Sequence, residues 1–428
     1  MTRRRALRAL AGIGCGAAAL AAAPAVLGAA KARVVVVGAG WAGLSLAHAL
    51  SRLAPQADVQ VIDRHAQWLP LPLSSPWLVG LTPQRLPRLD LAELARRQGW
   101  RFAAAPVTAI DRSQRAVHTS QGRFDYDWLV LATGADYDDS AWFGGDAQAR
   151  SLGRERFAPG FMAGELDALR QRLQAFRGGT LVMTVPPAPY RCPPAPYERA
   201  VLLASSLRQR GVSARLVIVD AGGGMPRFNR LFAERWGGWI ENRLHSTVRR
   251  VDPFARTLTT DEGDLRFEEA LLLPPMYAGG LVQAADLLGQ DAQGRPTRWA
   301  AVDAATLRSA RDERVVVVGD MIDAVSPLFG AYPKTAHIAA DLGAAAATHL
   351  AAAIQGQTAA PPPLPTSQCH VWLNADPPEQ LVLETSYRHR GDGLIVQTVR
   401  QHDNPQPRGE DLRWARSLLA ERLGVPVP

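Results

Sequence analysis

Two cysteines and one glutamate stand out in this 428-residue sequence as groups that could do redox and acid–base chemistry. Cys192 lies inside Pro186-Pro-Ala-Pro-Tyr-Arg-Cys-Pro-Pro-Ala-Pro196, and Glu198 follows it by six residues. Prolines fix φ and shrink the freedom of the unfolded loop, so the thiol is presented with little entropy left to lose. Arg191 beside it would favour a thiolate. Glu198 falls in the first turn of the helix that follows, where a carboxylate suits the helix dipole whether or not it also moves protons. Cys369 comes after an Ala/Pro-rich linker, Gln355 to Pro365. The third cysteine, Cys15, belongs to an N-terminal leader; without it two remain, and in an oxidising compartment an even pair reads first as a disulfide. The nine histidines show no metal-ligand spacing with one another or with the cysteines, so no metal site is expected. There is no C-x-x-C-H either, so any haem belongs to another chain.

The stretch that positions everything else is Val34-Val-Val-Val-Gly-Ala-Gly-Trp-Ala-Gly43. Four β-branched residues in a row read as a strand buried on both faces, and Gly38, Gly40 and Gly43 form a G-x-G-x-x-G turn into a helix over Leu44–Leu50. In that turn the first glycine permits the bend, the second lets a pyrophosphate approach the backbone, and the third lets helix and strand pack closely. A second strand, Val59–Ile62, ends in Asp63, where a ribose hydroxyl would be held. Two distant segments bear on which dinucleotide is bound. Asp125–Ala135 is a buried strand ending at Thr133-Gly134, and Arg314–Asp320 is another, ending at Gly319-Asp320. In this order they resemble the flavoprotein reductases with two dinucleotide folds, whose second acid, Asp320 here, binds the ribityl or phosphate region of the flavin. The expected cofactor is FAD.

A Pro-, Leu- and Trp-rich loop, Trp68 to Pro87, either lines or covers the flavin. An Arg-rich helix, Leu91–Gln98, follows it. Leu166, Leu169, Leu173 and Phe176 make the core-facing stripe of a helix over Ala163–Phe176. A second strand–helix–strand unit then follows: Thr180–Val185, Tyr197–Arg210 and Arg215–Val219, closing on Asp220. This is the layout of a nicotinamide-binding domain, but its phosphate loop is the proline segment, which contains no glycine. Prolines offer no N–H to a phosphate and cannot adopt φ > 0, so NAD(P)H binding is disfavoured. The chain returns to the first domain near Leu281, passes a helix over Thr335–Leu350, and ends in short strands Val371–Leu373, Leu381–Tyr387 and Leu394–Arg400 with a helix over Leu412–Leu423 that carries Trp414. The fold class expected is α/β, with two Rossmann-like dinucleotide-binding domains of the glutathione-reductase type and a small α+β C-terminal domain. Residues 31–145 and 281–354 form the FAD domain, 146–280 the second, degenerate domain, and 366–428 the last.

Thr2-Arg3-Arg4-Arg5-Ala6-Leu7-Arg8 matches the twin-arginine export pattern, and an Ala/Gly-rich apolar run broken by Pro24 extends to Ala30. Residues 1–30 are therefore expected to be a cleaved leader and the mature protein to be periplasmic. An uncleaved anchor is the alternative, since the run is long enough to span. The formal charge is +8, of which the leader supplies four, leaving +4. That is too mild to argue for nucleic acid, and no basic stripe with interleaved aromatics is present. The single short amphipathic helix at the C-terminus permits at most peripheral membrane contact.

Nearly the whole chain after the leader resembles the flavoprotein subunit of flavocytochrome c sulfide dehydrogenase, a periplasmic relative of the sulfide:quinone oxidoreductases. The most specific segment is Arg191-Cys-Pro-Pro-Ala-Pro-Tyr-Glu-Arg199, supported by Ala163-Gly-Glu165, Leu272-Leu-Pro-Pro275 and Cys369. The resemblance implies that Cys192 and Cys369 form a redox-active disulfide over the flavin, with Cys369 placed to reach its C4a position. It further implies that Glu198 is a base, that Trp414 lies near the flavin, and that electrons pass to a c-type cytochrome partner while sulfide becomes zero-valent sulfur or polysulfide. Two departures from the family matter. Relatives with covalent FAD have a cysteine where this chain has Leu71-Pro-Leu-Ser74, so the flavin should be non-covalent. Met321 follows Gly319-Asp320 where those relatives carry a small residue and then cysteine, and Pro333-Lys334-Thr335 is similar to the quinone-reducing branch. The competing readings are a sulfide:quinone oxidoreductase and a non-catalytic flavin-bearing subunit whose cysteines are only structural.

Overall fold

The computed structural model describes residues 31–82 and 86–426. The twin-arginine segment, the apolar run after it and Cys15 lie outside the described residues. Val34 to Val37 are no more than 3% exposed, so the β-branched run is buried on both faces. It forms β1 (Arg33–Val37), which turns directly into α1 (Trp41–Leu53), a helix longer at both ends than the sequence reading, and then β2 (Asp58–Asp63). The proline-rich segment contributes the short α2 (Ser74–Leu78), followed by α3 (Leu91–Gln98), β3 (Arg101–Ala104) and β4 (Trp128–Leu131).

The chain leaves this layer through α4 (Leu166–Ala175), which is preceded by one 3₁₀ turn over Ala163–Glu165. It builds a second layer from β5 (Gly179–Val185), α5 (Ala195–Gln209), β6 (Ala214–Asp220), α6 (Pro226–Arg235), β7 (Ile240–Arg243) and β8 (Glu269–Leu271). It returns as β9 (Arg308–Ser309), β10 (Asp312–Val317) and α7 (Ala336–Ile354).

Two sheets result. The first has the order β9-β10-β4-β1-β2-β3, parallel except at β9, and the second the order β7-β6-β5-β8, all parallel. Each has its own three-stranded antiparallel meander, over 107–125 and 248–266. Strand membership therefore divides the chain as the α/β reading with two dinucleotide folds requires. Parallel strands need crossovers, and it is the crossover helices that bury their apolar stripes against the sheets. The helix after the last strand of the first sheet, α7, is long and apolar enough to cross a membrane, but here it packs on α1, where Ser45 Oγ donates to the Ala340 carbonyl across 2.7 Å.

The C-terminal unit is an antiparallel sheet of β11 (Thr366–Ala375), β12 (Pro378–His389) and β13 (Ile395–Asn404), closed by α8 (Glu410–Leu423). The sequence reading starts β11 five residues late, at Val371. Thr366 to His370 lack an alternating apolar pattern, and their extended form is decided by pairing with β12, including Cys369 opposite Leu383. Cys369 is thus on a strand, held by a ladder.

Candidate functional site

The strand–helix junction of the first layer is built as an anion cradle. Gly38 has φ +106°, and a Cβ there would lie 2.4 Å from the Ala132 carbonyl oxygen; one on Gly43 would lie 2.0 Å from the Gly38 oxygen. Only glycine permits that turn and that approach. At Gly40 the opposite holds. A Cβ there would meet no protein atom within 4 Å, so the space in front of it is open, and no acidic residue stands in the first turn of α1. A phosphate placed there meets a helix N-terminus and backbone N–H groups. Asp63 accepts from the Ala39 N–H at 2.8 Å and from the His65 N–H at 2.9 Å, which fixes its carboxylate at the end of β2 with further lone pairs for ribose hydroxyls.

From this cradle a cavity of about 640 Å³ extends past Thr133, Gly134, Gly319 and Asp320 to Cys192, Cys369, Glu198 and Trp414. Every site residue expected from the sequence borders this cavity except Gly43, whose part is the close packing beneath it. The loop from Trp68 to Pro76 also lines it, so that segment forms a wall. Asp320 gives one oxygen to Arg191, whose Nε donates at 3.0 Å, and the Thr133 hydroxyl donates to Met321 Sδ at 2.9 Å.

Two expectations about the cysteines are corrected. Cys192 and Cys369 are free thiols in this structure where a disulfide was expected, and the fold brings both to the same cavity. A dithiol and its disulfide differ by two electrons and two protons. Nor does Arg191 make Cys192 a thiolate. Its guanidinium turns away to Asp320 and to the carbonyls of Ala135 and Phe161, and burial pushes the Cys192 thiol well up. Burial also raises Cys369, to about 11, against a partial offset from the Ser367 hydroxyl. The proline loop does fix its cysteine. Cys192 has φ +52°, a left-handed conformation unusual for a side chain with a Cβ, and is locked there by its N–H donating to the Lys334 carbonyl and its own carbonyl accepting from Ala195.

Glu198 is more than a helix-start charge. Its Oε1 accepts from the Trp372 N–H at 3.0 Å, joining α5 to β11 three residues beyond Cys369. Burial raises its carboxyl to about 7, although the Trp372 N–H and the Ser75 hydroxyl favour the charged form. A carboxyl that changes charge near neutrality beside two thiols can take and give protons at physiological pH.

Several residues do work in the site that the sequence reading did not assign to them. Arg191 is the half-buried hub that ties the proline loop to Asp320. Lys334, buried, donates to the Ile322 carbonyl, sits 3.9 Å over the Trp299 ring, and is lowered by burial to about 8. Glu165 accepts from the N–H groups of Gly160, Phe161 and Met162 and from the Tyr137 hydroxyl, which shapes a segment that lines the cavity. Trp414 lies between His337 and His370, with ring centroids 5.8 and 5.9 Å away. A lysine after proline or a histidine near a strand carries no local signature; only their burial around a shared cavity marks them. Among the described residues no group of three or more His, Cys, Asp or Glu is arranged to hold a metal.

In the second layer the corresponding acid is consumed. Asp220 is 1% exposed, accepting from the Tyr197 hydroxyl at 2.6 Å and from the Gly222 N–H at 2.8 Å, and Tyr197 stacks on Phe228. Aromatic side chains and prolines stand where a second dinucleotide would need glycine and open space.

Fold and cradle together define a flavin oxidoreductase with two dinucleotide-binding folds that holds FAD at the first. Residues 32–151 match the pyridine nucleotide-disulphide oxidoreductase family, and residues 166–272 match the central part of the sulfide dehydrogenase (flavocytochrome c) flavoprotein chain. The chain is a flavoprotein related to those sulfide dehydrogenases. Among solved structures, the sulfide:quinone oxidoreductase of Aquifex aeolicus shares the fold with a TM-score of 0.73 and 16% identity over 92% of each chain. A type II NADH:quinone oxidoreductase of Staphylococcus haemolyticus is 32% identical over 110 residues, 24% of this chain and 26% of its own. The nitric oxide reductase FlRd-NAD(+) reductase of Aeromonas salmonicida is 35% identical over 107 residues, 24% of this chain and 27% of its own. These matches span about a quarter of the curated relatives.

Proposed function

We propose that this protein oxidises sulfide at Cys192 and Cys369 and passes the electrons to a c-type cytochrome in the periplasm. The observation that carries the reading is that two thiols and a carboxyl poised at about 7 line the same cavity as the FAD cradle. In the oxidised form the two sulfurs are bonded. Hydrosulfide attacks one of them, the S–S bond breaks, and the products are a persulfide on one cysteine and a thiolate on the other. Glu198 takes the persulfide proton. The two sulfur anions then close to Cys–S–S–S–Cys with loss of two electrons, and a second hydrosulfide restores the disulfide and leaves with the extra sulfur as HSS⁻. The sum is 2 HS⁻ → HSS⁻ + H⁺ + 2 e⁻. FAD supplies the acceptor for that electron pair and its release one electron at a time. Burial disfavours an idle thiolate, so the freed sulfur has reason to give up its electron pair rather than persist as an anion.

FAD is held without a covalent bond, because no cysteine stands between Asp63 and Pro87; acid precipitation should release the colour to the supernatant. The leader with Arg3-Arg4-Arg5 supports export of the folded flavoprotein by the twin-arginine route. A second acceptor, a quinone, is favoured by Pro333-Lys334-Thr335 and by the fold shared with the Aquifex enzyme. Anaerobic titration with sulfide tests the reading. It should bleach the flavin of the wild type, while Cys192→Ser and Cys369→Ser should each retain FAD and stay oxidised. Single mutants that bleach like the wild type would remove the mechanism, and turnover with a quinone analogue but not with cytochrome c would move the acceptor to the membrane.

A further inference from the structure

Each turnover of the proposed reaction leaves one proton in the cavity while both electrons depart to an acceptor that takes no proton. Glu198 gathers that proton and must lose it again before the next cycle. Its neighbours along α5, Tyr197 and Arg199, are 2% exposed and open no way out on that side. The carboxylate is tied instead to β11, through the Trp372 N–H. His370 precedes Trp372 by two residues, so the two side chains share a face of the strand, and both line the cavity that holds Glu198.

We propose that His370, backed by Asp411, takes the proton from Glu198 and passes it to the surface of the C-terminal unit, a role that rests on the sulfide reading above. Asp411 is 5% exposed in the first turn of α8, and its charge acts on both partners, disfavouring an ionised Glu198 and favouring a charged His370. Glu410, next on the same turn, reaches solvent with a side chain 33% exposed. His402 on β13 lies in one cross-strand row with His370, opposite Val382 between them, and is exposed.

The titratable groups around His370 are therefore Asp411 and Glu410 from α8, His402 from β13 and His337 from α7. Burial lowers His370, and Asp411 and Glu410 partly offset that by favouring its charged form. His337, on the other side of Trp414, is not equivalent. Burial drives it down to about 4, so it stays neutral throughout and serves only as packing.

The test uses the full-length, FAD-loaded protein in two anaerobic stopped-flow assays: a single reduction of the flavin by sulfide, and repeated turnover with ferricyanide as one-electron acceptor. For His370→Ala, the first reduction should stay within roughly twofold of wild type, since Glu198 begins each cycle ready to accept. Repeated turnover should fall by about tenfold or more and recover when imidazole is added. Recovery by a free base is a signature that a purely structural loss does not give. If His370→Ala does not fold, His370→Gln carries the same expectation for turnover, without the rescue. Wild-type turnover in either variant, or a loss that imidazole leaves unchanged at normal FAD content, overturns the relay while leaving the sulfide chemistry standing. A wild-type flavin that sulfide does not bleach overturns that chemistry, and the relay with it.

Discussion

The two dinucleotide folds of this chain share a plan and differ in what stands at its one functional corner. In both, a buried strand turns into a helix and the next strand ends in an aspartate, Asp63 in the first and Asp220 in the second. The first corner is glycine, with open space before Gly40 and a carboxylate oriented by two backbone N–H groups. The second corner is proline, with its aspartate closed off by Tyr197 and with Cys192 and Glu198 carried at the turn. A strand–helix junction delivers whatever it carries to the carboxyl edge of a parallel sheet. Here one junction delivers backbone N–H groups to a cofactor, and the other delivers a sulfur and a carboxyl to the same cavity.

The comparison breaks most visibly if the proline corner is not chemical. Glu198→Gln is expected to slow the bleaching of flavin by sulfide by about 10²–10⁴-fold. In the wild type, the rate should rise as pH increases through about 7, where Glu198 becomes a base, and the ratio of wild type to Glu198→Gln should carry that rise. Taking the ratio removes the ionisation of sulfide itself. A ratio that is flat from pH 6 to 8 would deny Glu198 its role.

At the glycine corner, Gly43→Ala forces a Cβ against the Gly38 carbonyl. It should lower stability by about 1–3 kcal/mol and reduce the flavin content of the purified protein, as thermal melts and absorbance spectra can show. Normal FAD occupancy would mean that the close packing of strand and helix does not position the cradle.

Tyr197→Phe sharpens the contrast from the other side. Removing the hydroxyl leaves buried Asp220 short of a donor, at a cost of about 1–2 kcal/mol. NADH should still leave the flavin oxidised in both the variant and the wild type, because the prolines remain. Rapid bleaching by NADH would show that the second corner binds a nucleotide after all.

The smallest effect near neutrality concerns His337. Its folded pKa of about 4 lies below the ordinary histidine value, so between the two the unfolded chain binds more protons. Its contribution is fully present above the ordinary value and is lost as pH falls towards 4. Denaturant melts should show the wild type losing stability over that window more steeply than His337→Leu, while at pH 8 the slopes agree.

Much of this molecule is local and therefore legible in its sequence. The run Val34–Val37, the glycines after it and Asp63 define a strand, a turn and a carboxylate through short-range sterics and burial alone, and each stands where that reading places it. The proline segment likewise announces a rigid loop without a phosphate cradle. What stayed hidden was set by distance along the chain. Arg191 is a neighbour of Cys192 in sequence, yet its guanidinium is claimed by Asp320, 129 residues away, so adjacency misjudged the thiol. Cys369 lies on a strand that only its partner β12 makes extended.

The sequence by itself determined the turn chemistry, the buried strands and the chemical identity of the reactive groups, because these follow from side-chain shape and backbone freedom within a few residues. The tertiary structure alone decided that Cys192, Cys369 and Glu198 share one cavity, that burial keeps both thiols protonated, and that Glu198 titrates near 7. Those properties depend on desolvation and on partners from other elements, and neither exists until the chain has closed around them.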